Sequence, residues 1–275
     1  MYDVAENILN VLKEYNGCDL CDFQYHHDII QAYVKKRRQV VAVIPAFPGK
    51  AVNPNLCPSN LPDGAEEYAL NTLKRITKEV QKIYKPGLHI KIFHDGYYFI
   101  PLGLEYEYYH MQEYVDIIKK MCRNYPISSI DMKDTTEGST FEARLNYWQL
   151  YNTPTKEEIR DFMEQHTEVF TGVTAFFFHN YSGYLYPLET RSFRKKISEF
   201  MAQKYISINL GVQKYIENNF SNCLRLSVKR QNNEHSRKLY IDILKGIKNE
   251  GLPWMNTLVK EGDDFIVRKF RKDAV

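Results

Sequence analysis

Three groups of residues carry types and spacings suited to chemistry. Lys50 stands in Pro45-Ala-Phe-Pro-Gly-Lys50-Ala-Val-Asn53, where Gly49 permits close backbone approach and the prolines lower the entropy cost of ordering the loop. A lysine held in this way can pair with a phosphate or carboxylate, or form an imine with a ketone once its pKa is lowered. A surface lysine in a Pro-rich loop has the same local sequence. The segment is not a phosphate-cradling P-loop, because it lacks the leading glycine and the hydroxyl residue after the lysine.

Asp95, in His94-Asp95-Gly96, can serve as a general base, bind a substrate ammonium, or simply make a turn. Asp-Gly is a favoured hairpin dipeptide, with Tyr97–Ile100 as the return strand. Arg225, Ser227 and Lys229 recur at a two-residue period, which lines a guanidinium, a hydroxyl and an ammonium along one strand face roughly 7 Å apart. That row fits a phosphate; it also fits an edge strand decorated with charge against aggregation. His94, His166 and His179 are isolated and read first as structural histidines. Trp254, beside Pro253, reads as a core or pocket wall.

The elements around these residues follow from periodicity. Apolar side chains at helical spacing predict helices over 2–16 and 23–37, a helical extension covering residues 1–38. The second ends in Lys35-Lys36-Arg37-Arg38, a solvated basic turn that complements the helix dipole. Gln39-Val-Val-Ala-Val-Ile-Pro45 has no polar alternation, as expected of a strand buried on both faces. The loop over 45–62 is too rich in proline for helix or sheet interior. Asp63-Gly-Ala-Glu66 has the form of a capping box opening a helix that Pro86-Gly87 ends, and 88–94 is a second strand. Strand, loop, helix, strand makes a βαβ unit, so these two strands are parallel.

A Tyr-rich helix over 105–122, a strand over 127–132 and a mostly helical stretch over 137–218 follow. Leu224, Leu226 and Val228, and then Leu239, Ile241 and Ile243, alternate with polar residues across a polar turn at 230–237. That pattern predicts an antiparallel pair, with 256–261 and 265–270 as further strands. The expected fold is therefore α/β: one domain over 1–275, a mixed sheet with a parallel core, added antiparallel strands and flanking helices. In such sheets ligands gather beyond the carboxyl ends of the strands, the position of both the Lys50 loop and Asp95.

Composition narrows the function classes. A net charge of +3, from 37 basic and 34 acidic side chains, supplies no global field for nucleic acid. No 18-residue apolar run exists and the first residues are charged, so a cytoplasmic, non-membrane protein is expected. Tyrosine is abundant, 21 residues against 15 phenylalanines, from compositional bias or from an amphipathic pocket. Cys18-Asp-Leu-Cys21 with His26 and His27 invites zinc, but a second ligand pair at suitable spacing is missing, and reduced thiols in a helix–helix turn fit better.

Taken in order, Pro45–Asn55 running into Leu61–Leu70, then Gly87–Phe99, then Leu224-Arg225-Leu226-Ser227 with Pro253-Trp254, resemble the pyoverdine/dityrosine biosynthesis family. Its bacterial members are isonitrile synthases. The resemblance implies a Rossmann-like fold and conversion of the α-amine of an amino acid, often tyrosine or tryptophan, to an isonitrile whose carbon comes from C2 of ribulose 5-phosphate. It implies condensation of amine with ketone, proton transfers and loss of phosphate, without metal or redox cofactor, usually followed by an iron/2-oxoglutarate oxygenase. On that reading Lys50 binds an anion or assists imine formation, and Asp95 handles protons or the amine. Arg225, Ser227 and Asn53 hold phosphate or carboxylate together with His94 and Lys229, and Phe47 and Trp254 wall an aromatic pocket.

Two positions depart from the family pattern. Lys229 stands in Arg225-Leu-Ser-Val-Lys229 where the family tends to a histidine, and Met255 follows Pro-Trp in place of another. Lys229 keeps a cation but is no proton shuttle near pH 7 at an ordinary pKa. A non-catalytic binder of a phosphorylated metabolite, or a sugar-phosphate lyase, would use the same loops.

Overall fold

The structure, a computed structural model, describes the chain apart from residues 1–2, 17–21, 52, 54–56, 58, 105–106, 124, 230–236, 248–251, 256, 262–263 and 268–275. The Cys18/Cys21 pair lies outside the described residues. Helices α1 (Val4–Glu14) and α2 (Phe23–Lys35) begin on side-chain caps from Asp3 and Asp22 and bury the stripes read from the sequence. Strand β1 (Val40–Pro45) follows, then α3 (Gly64–Ile83), β2 (Leu88–Phe93), a 3₁₀ turn over Gly96–Leu102, α4 (Tyr108–Met121) and β3 (Ile127–Ile130). Next come the helices α5 (Met132–Thr135), α6 (Phe141–Asn152), α7 (Lys156–Gln165) and α8 (Thr167–Phe177). A π turn over Phe178–Ser182 leads into α9 (Gly183–Leu185) and the long α10 (Arg191–Asn219). Strands β4 (Leu224–Ser227) and β5 (Leu239–Tyr240), a 3₁₀ turn at Pro253–Met255, β6 (Leu258–Glu261) and β7 (Asp264–Val267) complete the order.

Five strands make one sheet in the order β3-β2-β1-β4-β5, and every pairing in it is parallel. Central β1 buries Val40, Ala42, Val43 and Ile44 completely, which is why its sequence shows no alternation. The βαβ unit is as expected, with Val40 paired to Leu88 and Pro45 to Phe93. Among the described residues no helix is long and apolar enough to cross a membrane.

Two expectations are corrected. The pair over 224–229 and 239–243 is parallel, in the register Leu226 to Leu239 and Ser227 to Tyr240. Antiparallel pairing occurs only apart from this sheet among the described residues, between β6 and β7. Alternation reports which face is wet and carries no strand direction; here it also misreads the wet face, because Arg225 is buried in an ion pair with Glu217 of α10. The Asp95-Gly96 hairpin is absent as well, since Tyr97–Ile100 continues into the 3₁₀ turn instead of returning along the sheet.

A second, smaller apolar cluster joins this 3₁₀ turn to the late helices. Phe99, Leu102 and Leu104 pack with Phe177, Tyr181, Met201 and Ala202. The helices thereby sit against the segment leaving the carboxyl end of β2.

Candidate active site

The loop leaving β1 is held in a conformation its own sequence does not favour. Phe47 has φ 56° and is fully buried; a bulky residue stays in the left-handed region only where its surroundings fix it. His94 Nδ1 lies 3.0 Å from the Phe47 carbonyl, which can only accept, so the proton is on Nδ1. The Phe47 ring meets Trp254 edge-on with centroids 5.9 Å apart, and Ala51 N–H donates to the Trp254 carbonyl at 2.9 Å. A Cβ on Gly96 would fall 1.7 Å from the Pro48 carbonyl oxygen, so the loops after β1 and β2 touch where only glycine fits. Burial pulls the His94 pKa down to about 4, leaving a neutral imidazole that positions backbone.

Lys50 does not open toward a ligand as expected. It is 1% exposed, and its ammonium meets Glu66 Oε2 at 2.9 Å, Pro253 O at 3.0 Å and Asp63 Oδ2 at 3.1 Å. Those carboxylates belong to the capping box of α3, and Tyr114 Oη donates to the other Glu66 oxygen at 3.0 Å. Burial raises Glu66 to about 7, offset in part by Lys50. The anions that Lys50 satisfies are therefore in its own chain, and it pins the loop to α3 and to the Pro253–Met255 turn. Asn53 reaches in the other direction and donates through Nδ2 to the Asn180 carbonyl of the π turn. π turns recur at functional sites.

Arg225 also differs from expectation. It sits at the second position of β4, beside Val43, and its Nη1 lies 2.6 Å from Glu217 Oε1. Ser227, at the carboxyl end, exchanges hydrogen bonds with the backbone of Lys229 at 3.0 and 3.1 Å and turns the chain there. The row of three is split: Arg225 faces α10, and Ser227 and Lys229 stand at the carboxyl end of β4. Lys238, unremarked in the sequence, is lowered to about 8 by burial and then by the repulsion of Arg225. Lys229 repels it as well, and Glu217 attracts it.

The structure brings Asp95 and Lys229 together. The strand order reverses between β1 and β4, and beyond such a point the loops part to form the crevice of open parallel sheets. Asp95 enters from β2 and Lys229 from β4. Burial raises Asp95 to about 6 against the attraction of Lys229, and among the described residues its buried Oδ1 has no hydrogen-bond partner. Lys229 is an exposed residue; desolvation of its ammonium works against the charge, but Tyr205 and then Asp95 hold it above the ordinary lysine range, so it stays a cation. Lys229 Nζ donates to Tyr205 Oη at 2.6 Å. Tyr205 comes from α10, and no local motif marks it; the high tyrosine content was the only signal.

Most of the chain has counterparts in known proteins. Residues 30–274 match the model of the family described as pyoverdine/dityrosine biosynthesis protein. The chain belongs to that family. It is 27% identical, over 92% of its length and 77% of the relative's, to an L-tryptophan isonitrile synthase of Fischerella ambigua. To an L-tyrosine isonitrile synthase of Pseudomonas aeruginosa it is 25% identical, over 87% and 75%. The crystal structure of the PvcA protein from Pseudomonas aeruginosa superposes with a TM-score of 0.86 at 21% identity, covering 97% of this chain and 92% of that one. At that identity the superposition speaks for the α/β fold alone.

Proposed function

We propose that this isonitrile synthase takes an aromatic amino acid as its amine and ribulose 5-phosphate as its carbon donor, and works at the crevice between Asp95 and Lys229. The observation that carries the reading is the Asp95 carboxyl, held at about 6, with one oxygen lacking a hydrogen-bond partner among the described residues and faced by the Lys229 ammonium. A base of that strength is largely ionised at pH 7 and still readily protonated, which suits removal of a proton from a substrate ammonium so that the amine can attack a ketone. Lys229 supplies charge for the substrate carboxylate or the donor phosphate. Tyr205, half-buried and backed by the buried Phe99 and Phe177, offers an aromatic face, which favours tyrosine or tryptophan as substrate. An iron/2-oxoglutarate oxygenase would consume the product.

In this reading Lys50, His94, Asn53, Phe47 and Trp254 position the loop instead of touching the reacting atoms. The test is incubation with ribulose 5-phosphate and each aromatic amino acid, with tetrazine trapping of isonitrile and assay of released phosphate. Trapped product with one of them is expected. Phosphate release that needs no amino acid would overturn the reading in favour of a lyase, and binding without turnover would overturn it in favour of a binder.

A further inference from the structure

The hydroxyl of Tyr205 meets Lys229 in an exposed hydrogen bond, while its ring is held from two sides. Its ring stacks on Phe99 at 5.1 Å between centroids and 29° between planes, and meets Phe177 edge-on at 5.7 Å and 74°. Phe99 lies four residues beyond Asp95 in the same 3₁₀ turn, and Phe177 is the last residue before the π turn that Asn53 grips. The ring is thus fixed by the segment that carries Asp95 and by the segment tied to the β1 loop. At its tip, the Lys229 ammonium donates to the phenol oxygen at 2.6 Å while being drawn toward Asp95. Because the oxygen accepts from Lys229, the phenol's own hydrogen is directed elsewhere. A cation on that oxygen also stabilises the charge left when the proton departs.

We propose that Tyr205 is the acid of the dehydration step at this site, with Lys229 as its positioning cation; the inference rests on the function proposed above. Attack of the substrate amine on the ketone gives a carbinolamine. The nitrogen lone pair then forms the C=N bond as the C–O bond breaks, and the departing oxygen takes the Tyr205 proton and leaves as water. The phenolate, held by the Lys229 ammonium, recovers a proton from the N–H of the iminium, which gives the neutral imine and restores the tyrosine. No oxidant or reductant enters.

The test compares Tyr205→Phe, Lys229→Met, Lys229→Arg and the Tyr205→Phe/Lys229→Met double variant with the wild-type enzyme. Phenylalanine preserves both ring contacts, so the melting temperature of Tyr205→Phe should stay within a few degrees of wild type. Its kcat should fall about 100-fold or more, within the range of a lost general acid, with the KM for the amino acid changed less than about threefold. Lys229→Met should lose a similar factor, Lys229→Arg should recover much of it, and the double variant should be no worse than about the poorer single. If Tyr205→Phe keeps its full kcat, or if the two losses multiply, this inference is overturned while the isonitrile reading stands. No product from the wild-type enzyme with any amino acid would sink that reading, and this inference with it. If Tyr205→Phe fails to fold, the Lys229 pair decides: equal activity of Met and Arg at that position would refute the role assigned to the couple.

Discussion

Replacing Asp95 by asparagine should make the protein more stable and less active, with the stability gain depending on pH. The carboxyl titrates at an ordinary 3.8 when unfolded and at about 6 in the fold, because burial disfavours the charge more than Lys229 favours it. A folded pKa raised in this way means that the folded state binds the proton more tightly, so the wild-type protein loses stability as pH rises from about 4 to about 6 and no further beyond. At 1.36 kcal/mol per pKa unit the loss has a ceiling of about 3 kcal/mol, and relaxation of the site should leave roughly 1–3 kcal/mol. Asparagine keeps the shape and cannot ionise. Denaturant unfolding of both proteins from pH 4 to pH 8 isolates this one group, because Glu66 and the histidines titrate in both and cancel in the difference. The gap should be near zero at pH 4 and reach its full size in favour of Asp95→Asn above pH 7. A gap that stays flat with pH, or a wild-type protein that is the more stable at pH 8, would refute the burial argument for Asp95.

Removing Lys50 tests position against chemistry. Lys50→Met leaves Glu66 and Asp63 without their cation and should cost about 3–5 kcal/mol, more above pH 7 than at pH 5, where Glu66 takes up a proton. Chemical denaturation reads this, and lost activity at unchanged stability would instead assign Lys50 to the reaction. Gly96→Ala drives a methyl group against the Pro48 carbonyl and should cost about 1–3 kcal/mol while displacing the loop that holds Phe47, visible as faster backbone hydrogen exchange over residues 46–51. Unchanged exchange there would show that the two loops are not coupled.

Much of this frame was legible from periodicity and turn chemistry. The unbroken apolar run of β1, the capping box at Asp63 and Glu66, and the end of α3 at Tyr84 before Pro86-Gly87 each state a local preference that packing did not overrule. What was not legible depends on partners far away in sequence. Arg225 looked exposed because charge usually is; Glu217, on the neighbouring helix, lets it be buried. Lys50 looked ready for a ligand because nothing local says that the capping-box carboxylates fold back onto it. Gly96 was read as a turn residue, whereas its lack of a side chain serves a contact with Pro48. Tyr205 had no motif at all, since its place is set by two aromatic contacts and a lysine after β4. The position of Asp95 just beyond the carboxyl end of β2 was legible, because that is where the sequence places it after a parallel strand.

The most direct test of a crevice built by Asp95 and Lys229 is isotope tracing. Ribulose 5-phosphate labelled at its second carbon is supplied with tyrosine or tryptophan to the wild-type enzyme and to Asp95→Asn, and the trapped product is read by mass and by carbon NMR. A labelled isonitrile carbon from the wild-type enzyme, and a rate at least about 100-fold lower from a folded Asp95→Asn, is the predicted result. An unlabelled product, or undiminished labelling by Asp95→Asn, would contradict the account.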